Sequence, residues 1–325
     1  MKREDYTIKV AGVDVSKDTL DIVDHSSGDH IKIANRADEF AALGQWLTTH
    51  GVVRVGLEAT GGYEHAVYVW LHQAGFEAVL HQPAEVKYFA RFHRIRLKTD
   101  KADAALIAAA TVHRASAGHA YDAVLDEISA IMTFYEHVTA QLAQCRTFAE
   151  HANQGFVRAH TEALIEALQA EKTAIEAELK ARVKADPALY QRYEILHSIP
   201  GFGDIVSLSL VIRMPELGHL QKGQPASLLG VAPFLQQSGK FQGKAIIAGG
   251  RERPRHHVYL AAIGAKRTKD APFGKFAQVL IERGKAKKVA IVAIMRKLIE
   301  LANLLLKQNR PWTAKYSPKP ALQSA

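Results

Sequence analysis

The first 115 residues alternate between short apolar segments and amphipathic segments. Five short segments rich in β-branched residues predict strands over 6–13, 20–23, 30–34, 52–57 and 77–81. Apolar residues at helical spacing predict helices over 37–49 and 63–74, from Pro83 onward, and over 100–113. Three successive strands on short turns predict an antiparallel meander, which later strands join through helical crossovers. The pattern therefore predicts a mixed α/β domain.

This order of strands and helices is that of a ribonuclease-H-like domain, here over residues 1–116. Residues 117–189 lack a strand pattern, and their apolar residues step by three or four, which predicts a pair of long helices or a helical hairpin. The apolar stripe of these helices requires a partner, either the return helix or another subunit. Residues 190–312 predict a mainly α-helical C-terminal domain, and 313–325 a flexible tail.

A Pro-Gly turn at Pro200-Gly201 separates two predicted helical segments of the C-terminal domain. A glycine-rich backbone at a helix start can bind phosphate through its amide N–H groups. An ordinary turn between helices fits the same residues equally well, and the two interpretations stay open.

Charge is concentrated in one part of the chain. The 325 residues carry a formal net charge of +9, and the segment 238–297 alone holds fifteen Lys and Arg against three acids. Such an excess favours a polyanionic partner, and nucleic acid is the first candidate. The single cysteine, Cys145, excludes an intramolecular disulfide and fits a reducing cytoplasm. The sequence contains neither an apolar run of about 20 residues nor a signal-peptide pattern, so we expect no membrane partner.

Four acidic residues follow the predicted strands and open the last helix of the α/β domain. Asp14 follows the first strand and Glu58 the fourth, while Asp100 and Asp103 are spaced to share one helical face. Converging carboxylates repel one another unless cations lie between them, and Mg²⁺ accepts oxygen ligands of this kind. Each acid alone also has a structural explanation, as a strand terminator, helix cap or first-turn residue. Their joint placement predicts a divalent-metal site.

Several sequence blocks occur in a fixed order: GVDVSKDTLD, GLEATGGYE, KTDKADA, SIPGFG, QPASLLGVAPFLQQSGKFQG and RPRHHVYLAA. Together they resemble the DEDD transposases of the insertion-sequence "one-ten" family, which are bridge-RNA-guided serine recombinases of bacterial mobile elements. The resemblance covers nearly the whole chain. It implies a RuvC-like N-terminal domain, a coiled-coil insertion and a C-terminal transposase domain with a nucleophilic serine.

The resemblance also implies residue roles and partners. Asp14, Glu58, Asp100 and Asp103 would be catalytic and would hold Mg²⁺ or Mn²⁺, and Ser238 would form a covalent link to DNA. The segment 249–253 departs from the regular basic helix start expected after this serine. The implied partners are DNA, a structured guide RNA, and further copies of the chain in a dimer or tetramer. The implied location is the bacterial cytoplasm at the nucleoid.

The basic residues that we expect to contact nucleic acid lie in the C-terminal block: Lys240, Lys244, Arg251, Arg253, Arg255, Lys266 and Arg267. A DNA transposase or recombinase is the leading interpretation. The alternative is a nuclease resembling Holliday-junction resolvases, which would use the same acids with water as nucleophile and would not need Ser238. An actin-like kinase lacks support because no glycine-rich phosphate loop follows Asp14. A non-catalytic nucleic-acid-binding protein would be insensitive to loss of the acids.

Overall fold

The computed structural model of the protein describes residues 8–95, 99–114, 121–234, 237–238, 241–243, 245–267 and 272–313. The chain divides into two compact units, Met1–Asp122 and Ala123–Ala325. Each unit has a hydrophobic core of its own. No helix within the described ranges is long and apolar enough to cross a bilayer.

The N-terminal unit is built on a five-stranded mixed sheet. Its strands are β1 (Val10–Val15), β2 (Thr19–Asp24), β3 (His30–Ala34), β4 (Arg54–Glu58) and β5 (Glu77–His81). Their order across the sheet is β3-β2-β1-β4-β5. β1, β2 and β3 form the predicted antiparallel meander, and β4 and β5 are parallel to β1. This arrangement is compatible with a ribonuclease-H-like domain.

In the described part of the N-terminal unit, four helices accompany the sheet: α1 (Phe40–Thr49), α2 (His65–Gln73), α3 (Pro83–Phe92) and α4 (Asp100–Val112). One face of the sheet packs against α1 and α2, with Phe40, Leu43 and Leu71 fully buried among the apolar residues of the strands. The alanine-rich helix α4 contacts β1, β2 and β4. The helices therefore cover the sheet as the crossover connections predict.

The first strand extends further than the sequence pattern predicts. β1 pairs with β2 as far as Val15, opposite Leu20, so Asp14 lies within the strand and does not follow it. Val13 and Val15 are buried in the apolar core, and the alternation of a strand directs Asp14 to the opposite face. Glu58 is the last residue of β4.

The C-terminal unit is mainly helical. Its helices are α5 (Ala123–Ala149), α6 (Gly155–Ala185), α7 (Pro187–His197), α8 (Asp204–Arg213), α9 (Gln224–Leu229), α10 (Glu252–Arg267), α11 (Phe273–Glu282) and α12 (Lys287–Lys307). Two short ribbons lie between α9 and α10: β6 (Pro233–Phe234) with β9 (Ile246–Ile247), and β7 (Gln237–Ser238) with β8 (Phe241–Gln242).

The long helices α5 and α6 pack against each other and share one apolar core with the C-terminal helices. Ile128 and Met132 of α5 belong to the same buried cluster as Leu210 and Leu298. The helical pair therefore forms part of the second compact unit. The predicted boundary at residues 189/190 and the coiled-coil insertion stay predictions.

Gly201, in the Pro-Gly turn between α7 and α8, has a packing role. Its φ of +90° lies in the left-handed region, and a Cβ there would overlap with the carbonyl oxygen of Ala261 on α10. A glycine is thus required at this turn without any bound phosphate. This observation favours the interpretation as an ordinary turn between helices.

Candidate active site

A row of ionisable side chains crosses the N-terminal sheet. The register places Asp14 of β1 opposite Asp21 of β2, and Asp21 opposite Lys32 of β3. On the other side, Val13 pairs with Leu57, so the next position along β1 adjoins Glu58 of β4, and Glu58 pairs with His81 of β5. Residues in register lie on the same face of a sheet. The row therefore reads Lys32, Asp21, Asp14, Glu58, His81, with one residue from each strand.

Helix α4 approaches this face at two glycines. Gly12 and Gly56 pair with each other, two residues before Asp14 and Glu58 respectively. A Cβ on Gly12 would overlap with the backbone of Ala104 and Ala108 in α4, and one on Gly56 would overlap with the Thr111 hydroxyl. The absence of side chains at these two positions allows α4 to lie directly on the sheet.

The close approach of α4 brings its first turn to the row of strand residues. Asp100 and Asp103 both lie in that turn, and Thr99 caps the helix by accepting a hydrogen bond from the Ala102 amide at 3.2 Å. An acidic first turn is also favourable for the helix itself, because carboxylates compensate the partial positive charge of a helix N-terminus. At the other end of α4, His81 and the Thr111 hydroxyl form a hydrogen bond of 2.8 Å.

The electrostatics of Asp14 show that the four acids lie close together. Burial, followed by the negative charges of Asp103, Asp100, Glu58 and Asp21, raises the pKa of the half-buried Asp14 from 3.8 to about 6. Burial and the charge of Asp103 also raise the pKa of Glu58. With a pKa of about 6, Asp14 is mostly ionised at neutral pH, at a free-energy cost that a bound cation would offset.

The sequence analysis missed a second group of charges beside the acids. Asp21 is only 4% exposed, and its carboxylate lies 2.8 Å from His30 Nε2 and 2.8 Å from Lys32 Nζ. Lys32 Nζ also lies 3.3 Å from a carboxylate oxygen of Asp100. Lys32 is therefore a cation of the chain itself that joins β2 to the first turn of α4. A sequence signal for Asp21 does exist, since it is a carboxylate inside the apolar strand TLDIVD.

Glu64 was also missed, and it shapes the loop that follows Glu58. Its carboxylate accepts hydrogen bonds from the Thr60 amide at 3.1 Å, the Thr60 hydroxyl at 3.0 Å and the Gly62 amide at 2.9 Å. Burial acts to raise the pKa of Glu64, but these hydrogen bonds stabilise the charged form, and the net effect is a lowered pKa. Glu64 thereby holds the glycine loop in a defined conformation next to the acids.

The donor set has the chemistry that a hard divalent cation requires. Four neighbouring carboxylates act on Asp14 on the sheet face that α4 covers, and the field at Asp14 would be relieved by a cation. In the described part of the chain, however, no three His, Cys, Asp or Glu side chains are arranged as the ligands of a metal ion. One of the four carboxylates, that of Asp100, faces the ammonium group of Lys32.

Ser238 belongs to the C-terminal unit. Its backbone lies in the β7–β8 ribbon, where Ser238 pairs with Phe241. Gly239 and the predicted DNA contacts Lys240 and Lys244 lie outside the described residues. The basic helix expected after Ser238 begins only at Glu252, because the strands β8 and β9 come first.

Three of the predicted nucleic-acid contacts have partners within the fold. Arg251 pairs with Glu216 and donates to the Arg213 carbonyl, and Arg253 pairs with Glu136 at 2.8 Å. Arg255 donates to the carbonyl oxygen of Gly249. These bonds give the three arginines structural roles. Lys266 and Arg267 are exposed at the end of α10.

The chain is similar to known transposases and to proteins that invert a gene. Residues 11–152 match a transposase family model for DEDD transposases of the IS110 type. Residues 193–278 match a second model, described as the transposase IS116/IS110/IS902 family. The chain is also 27% identical over 312 residues to the pilin gene-inverting proteins of Moraxella lacunata and Moraxella bovis. Each alignment covers 93% of this chain and 96% of the relative.

Proposed function

Because the chain belongs to the IS110 family of DEDD transposases, whose members are DNA transposases and recombinases, we propose that it cleaves and rejoins DNA strands through a covalent link to Ser238. The observation that carries the proposal is the group of carboxylates where the first turn of α4 meets the sheet, in which burial and four neighbouring acids raise the pKa of Asp14. Asp14, Glu58, Asp100 and Asp103 are the proposed catalytic acids. The N-terminal unit is proposed to be RuvC-like.

The same four acids would hold Mg²⁺ or Mn²⁺. When bound, such an ion would neutralise charge on the phosphate and favour ionisation of the attacking hydroxyl. The residues of the chain contribute the surrounding structure. Gly12 and Gly56 allow α4 to carry its acids to the sheet, and Glu64 fixes the loop after Glu58.

The bonds made and broken in the proposed reaction balance without an external energy source. The Ser238 oxygen forms a bond to phosphorus, the bond from phosphorus to the sugar oxygen breaks, and that oxygen takes up a proton. A hydroxyl of a second DNA strand then attacks the phosphoserine, which releases the serine hydroxyl again. Because every phosphodiester bond lost is replaced by another ester, strands are exchanged and not merely cut.

Three further aspects belong to the same proposal. The basic residues of 238–297 other than Arg251, Arg253 and Arg255, which are engaged within the fold, would bind DNA phosphates. A structured bridge RNA would select the DNA sequence by base pairing, as in other RNA-guided systems. The acids and Ser238 belong to different compact units, so a dimer or tetramer could combine them between copies of the chain. The relatives' name states the inversion of a gene, which is one outcome of such strand exchange.

The test is the formation of a protein–DNA adduct. Wild-type protein, Ser238→Ala and Asp14→Asn are incubated with labelled mobile-element ends, the flanking transcript and Mg²⁺, and then resolved on denaturing gels. We expect an adduct with wild type only. Ser207→Ala is the control, because Ser207 is fully buried in α8 and donates to the Gly203 carbonyl. Strand cleavage that persists in Ser238→Ala would support the resolvase-like alternative with water as nucleophile.

A further inference from the structure

Helix α3 of the N-terminal unit exposes two aromatic rings to solvent. Tyr88 is 66% exposed and Phe92 is 82% exposed, the highest value among the exposed large apolar side chains of the described residues. The two residues are four positions apart and therefore lie one above the other on the helix. Exposed aromatic side chains that are not needed for packing are candidates for binding.

The inner face of α3 already has its partner. Val86 is buried against Leu106 and Ile107 of α4, with Phe89 and Ala90 packed beside it. Tyr88 and Phe92 point away from this contact, so they are not part of an incomplete core. Leaving these two rings exposed to water costs free energy, and the packing of α3 on α4 does not require it.

Basic side chains lie beside the aromatic rings. Lys87 and Arg91 are exposed and four residues apart, on the helical face adjoining Tyr88 and Phe92. Arg94 follows the helix, with φ of 56°. Among the described residues, Lys87, Arg91 and Arg94 take part in none of the ion pairs. These charges are therefore available to an anionic partner.

The one acid of α3 is engaged elsewhere. Glu85 forms an ion pair with Arg114 at 2.7 Å and lies 3.6 Å from His81. The outer face of the helix thus combines two flat rings with cations and has no neighbouring carboxylate of its own. This combination complements bases and phosphates better than it complements an apolar peptide.

The ring of Phe92 has an aromatic neighbour in His93. Phe92 and His93 meet at right angles, with ring centroids 5.0 Å apart and an angle of 83°. His93 in turn packs on Phe89 at 4.3 Å, and Phe89 lies 5.6 Å from His113.

We propose that this outer face, formed by Lys87, Tyr88, Arg91 and Phe92, binds unpaired nucleotides. Bases stack on the two rings, and Lys87 and Arg91 contact phosphates. Unpaired nucleotides are the fitting ligand because the bases of a duplex are already stacked on one another, whereas single-stranded bases present free faces. The location supports this, since α3 packs on α4, the helix whose first turn carries Asp100 and Asp103.

The inference rests on the proposed function, since it adds a strand-holding surface to the unit with the catalytic acids. Its ligand has two possible sources: a DNA strand opened during exchange, or an unpaired part of a guide RNA. Both present the same chemistry of bases and phosphates. Separate DNA and RNA probes distinguish them.

The experiment measures binding in EDTA, so that no cleavage occurs. Fluorescence anisotropy with a labelled single-stranded DNA, the RNA of the same sequence and the DNA duplex gives the dissociation constants. We expect Phe92→Ala to weaken binding of a single-stranded probe about 5- to 150-fold, the loss of one stacked base. Binding to the duplex should stay within about twofold of wild type. Phe92→Trp should restore binding, because the indole offers an equal or larger stacking surface.

A charge variant tests the basic part of the surface independently. Lys87→Gln combined with Arg91→Gln should reduce the slope of log affinity against log salt by about 1.4 on single strands, that is about 0.7 for each phosphate that the variant no longer neutralises. Phe92→Ala should leave this slope unchanged. Phe156→Ala, at an exposed aromatic of α6, and Lys222→Gln are the matched controls in the C-terminal unit.

The outcomes separate the two proposals. Loss of binding on the DNA probe, the RNA probe or both supports the surface and identifies its ligand. Unchanged affinity of Phe92→Ala for both probes, or an equal loss on the duplex, overturns it. The binding assay runs in EDTA, where no cleavage occurs, and it uses neither the proposed catalytic acids nor Ser238. A failure of the Ser238 adduct test therefore leaves this result standing, and a failure here leaves the adduct test standing.

Discussion

Replacing Asp14 by asparagine should stabilise the N-terminal unit at neutral pH when no divalent cation is present. Burial and four neighbouring carboxylates raise the pKa of Asp14 from 3.8 to about 6. The folded state therefore binds this proton more tightly than the unfolded state does. The contribution of Asp14 to folding stability is therefore fully present below about pH 4 and is lost as the pH rises through about 6.

The size of the effect follows from the shift in pKa. A change from 3.8 to about 6 corresponds to a ceiling of about 3 kcal/mol at neutral pH. Because Asp14 is only half-buried, solvent screening reduces the repulsion, and we expect a gain of about 1–2 kcal/mol in Asp14→Asn. Asparagine keeps the shape of the side chain and removes the charge, so the gain reports the combined cost of burying that charge and of its repulsion by the neighbouring carboxylates.

Tryptophan fluorescence during urea denaturation can isolate the N-terminal unit. Of the three tryptophans, Trp46 and Trp70 belong to this unit and Trp312 to the other. In a Trp312→Phe background, the unfolding curves of the protein with and without the Asp14→Asn substitution should coincide near about pH 4 and separate by about pH 7.5. Asp18→Asn, at an exposed carboxylate of the β1–β2 turn, should change stability by less than about 0.5 kcal/mol.

The C-terminal unit should respond to pH in the opposite direction. Burial, with the charges of His256 and Arg213, lowers the pKa of His257 from 6.5 to about 4. Its stability contribution is therefore lost as the pH falls from about 6.5 to about 4. Trp312 fluorescence in a protein that retains only this tryptophan should show acid destabilisation, so a general acid effect cannot imitate the result for Asp14.

Mg²⁺ should make wild type more stable than Asp14→Asn, which is the reverse of their order without a divalent cation. A cation that binds the native state stabilises wild type, and Asp14→Asn, which lacks one ligand charge, should gain less. The reasoning is refuted if Asp14→Asn is no more stable than wild type at about pH 7.5 in EDTA. In that case neither burial nor the neighbouring carboxylates destabilise the ionised form of Asp14, and the electrostatic argument for a cation at this position fails.

Two further predictions concern the surroundings of the acids. Gly12→Ala should destabilise the N-terminal unit by about 1–3 kcal/mol and abolish adduct formation, because the new Cβ displaces the backbone of α4 at Ala104. In Gly155→Ala the new Cβ meets no atom within 4 Å, so this control should keep wild-type stability in urea denaturation and wild-type adduct formation on gels. Lys32→Gln should bind Mn²⁺ severalfold more tightly in calorimetric titration, because it removes the cation that now pairs with an acid of the site; unchanged or weaker binding would show that this lysine positions the acid and does not compete with the metal.

The strands and the local positions of Glu58, Asp100 and Asp103 could be predicted from the sequence because each depends on local pattern, whereas Asp14 lies within its strand and not after it. Alternating β-branched segments identified all five strands of the sheet to within a few residues, and β3 and β5 were predicted with the observed bounds. The placement of Glu58 at a strand end and of Asp100 and Asp103 in a first helical turn followed from the same patterns. Predicting these features does not require knowing which residues are in contact in the folded protein.

Other features depend on register, which a local pattern does not contain. The row from Lys32 to His81 exists only because five strands pair in one specific alignment, and Asp21 joins it through two of those pairings. Arg251 likewise appeared as one more cation in a basic block. Its ion pair with Glu216, 35 residues away, is a tertiary contact.

The spacing of glycine and acid in GVD and GLE links stability to the proposed chemistry. A residue two positions before another lies on the same face of a strand, so the face that must lack a Cβ to admit α4 is also the face that carries Asp14 and Glu58. Close packing at Gly12 and Gly56 therefore stabilises the arrangement that holds the carboxylates together. The repulsion among those carboxylates opposes it, as the raised pKa of Asp14 shows. A unit built in this way is less stable at neutral pH than its packing alone would allow, and a cation bound as proposed would offset that cost.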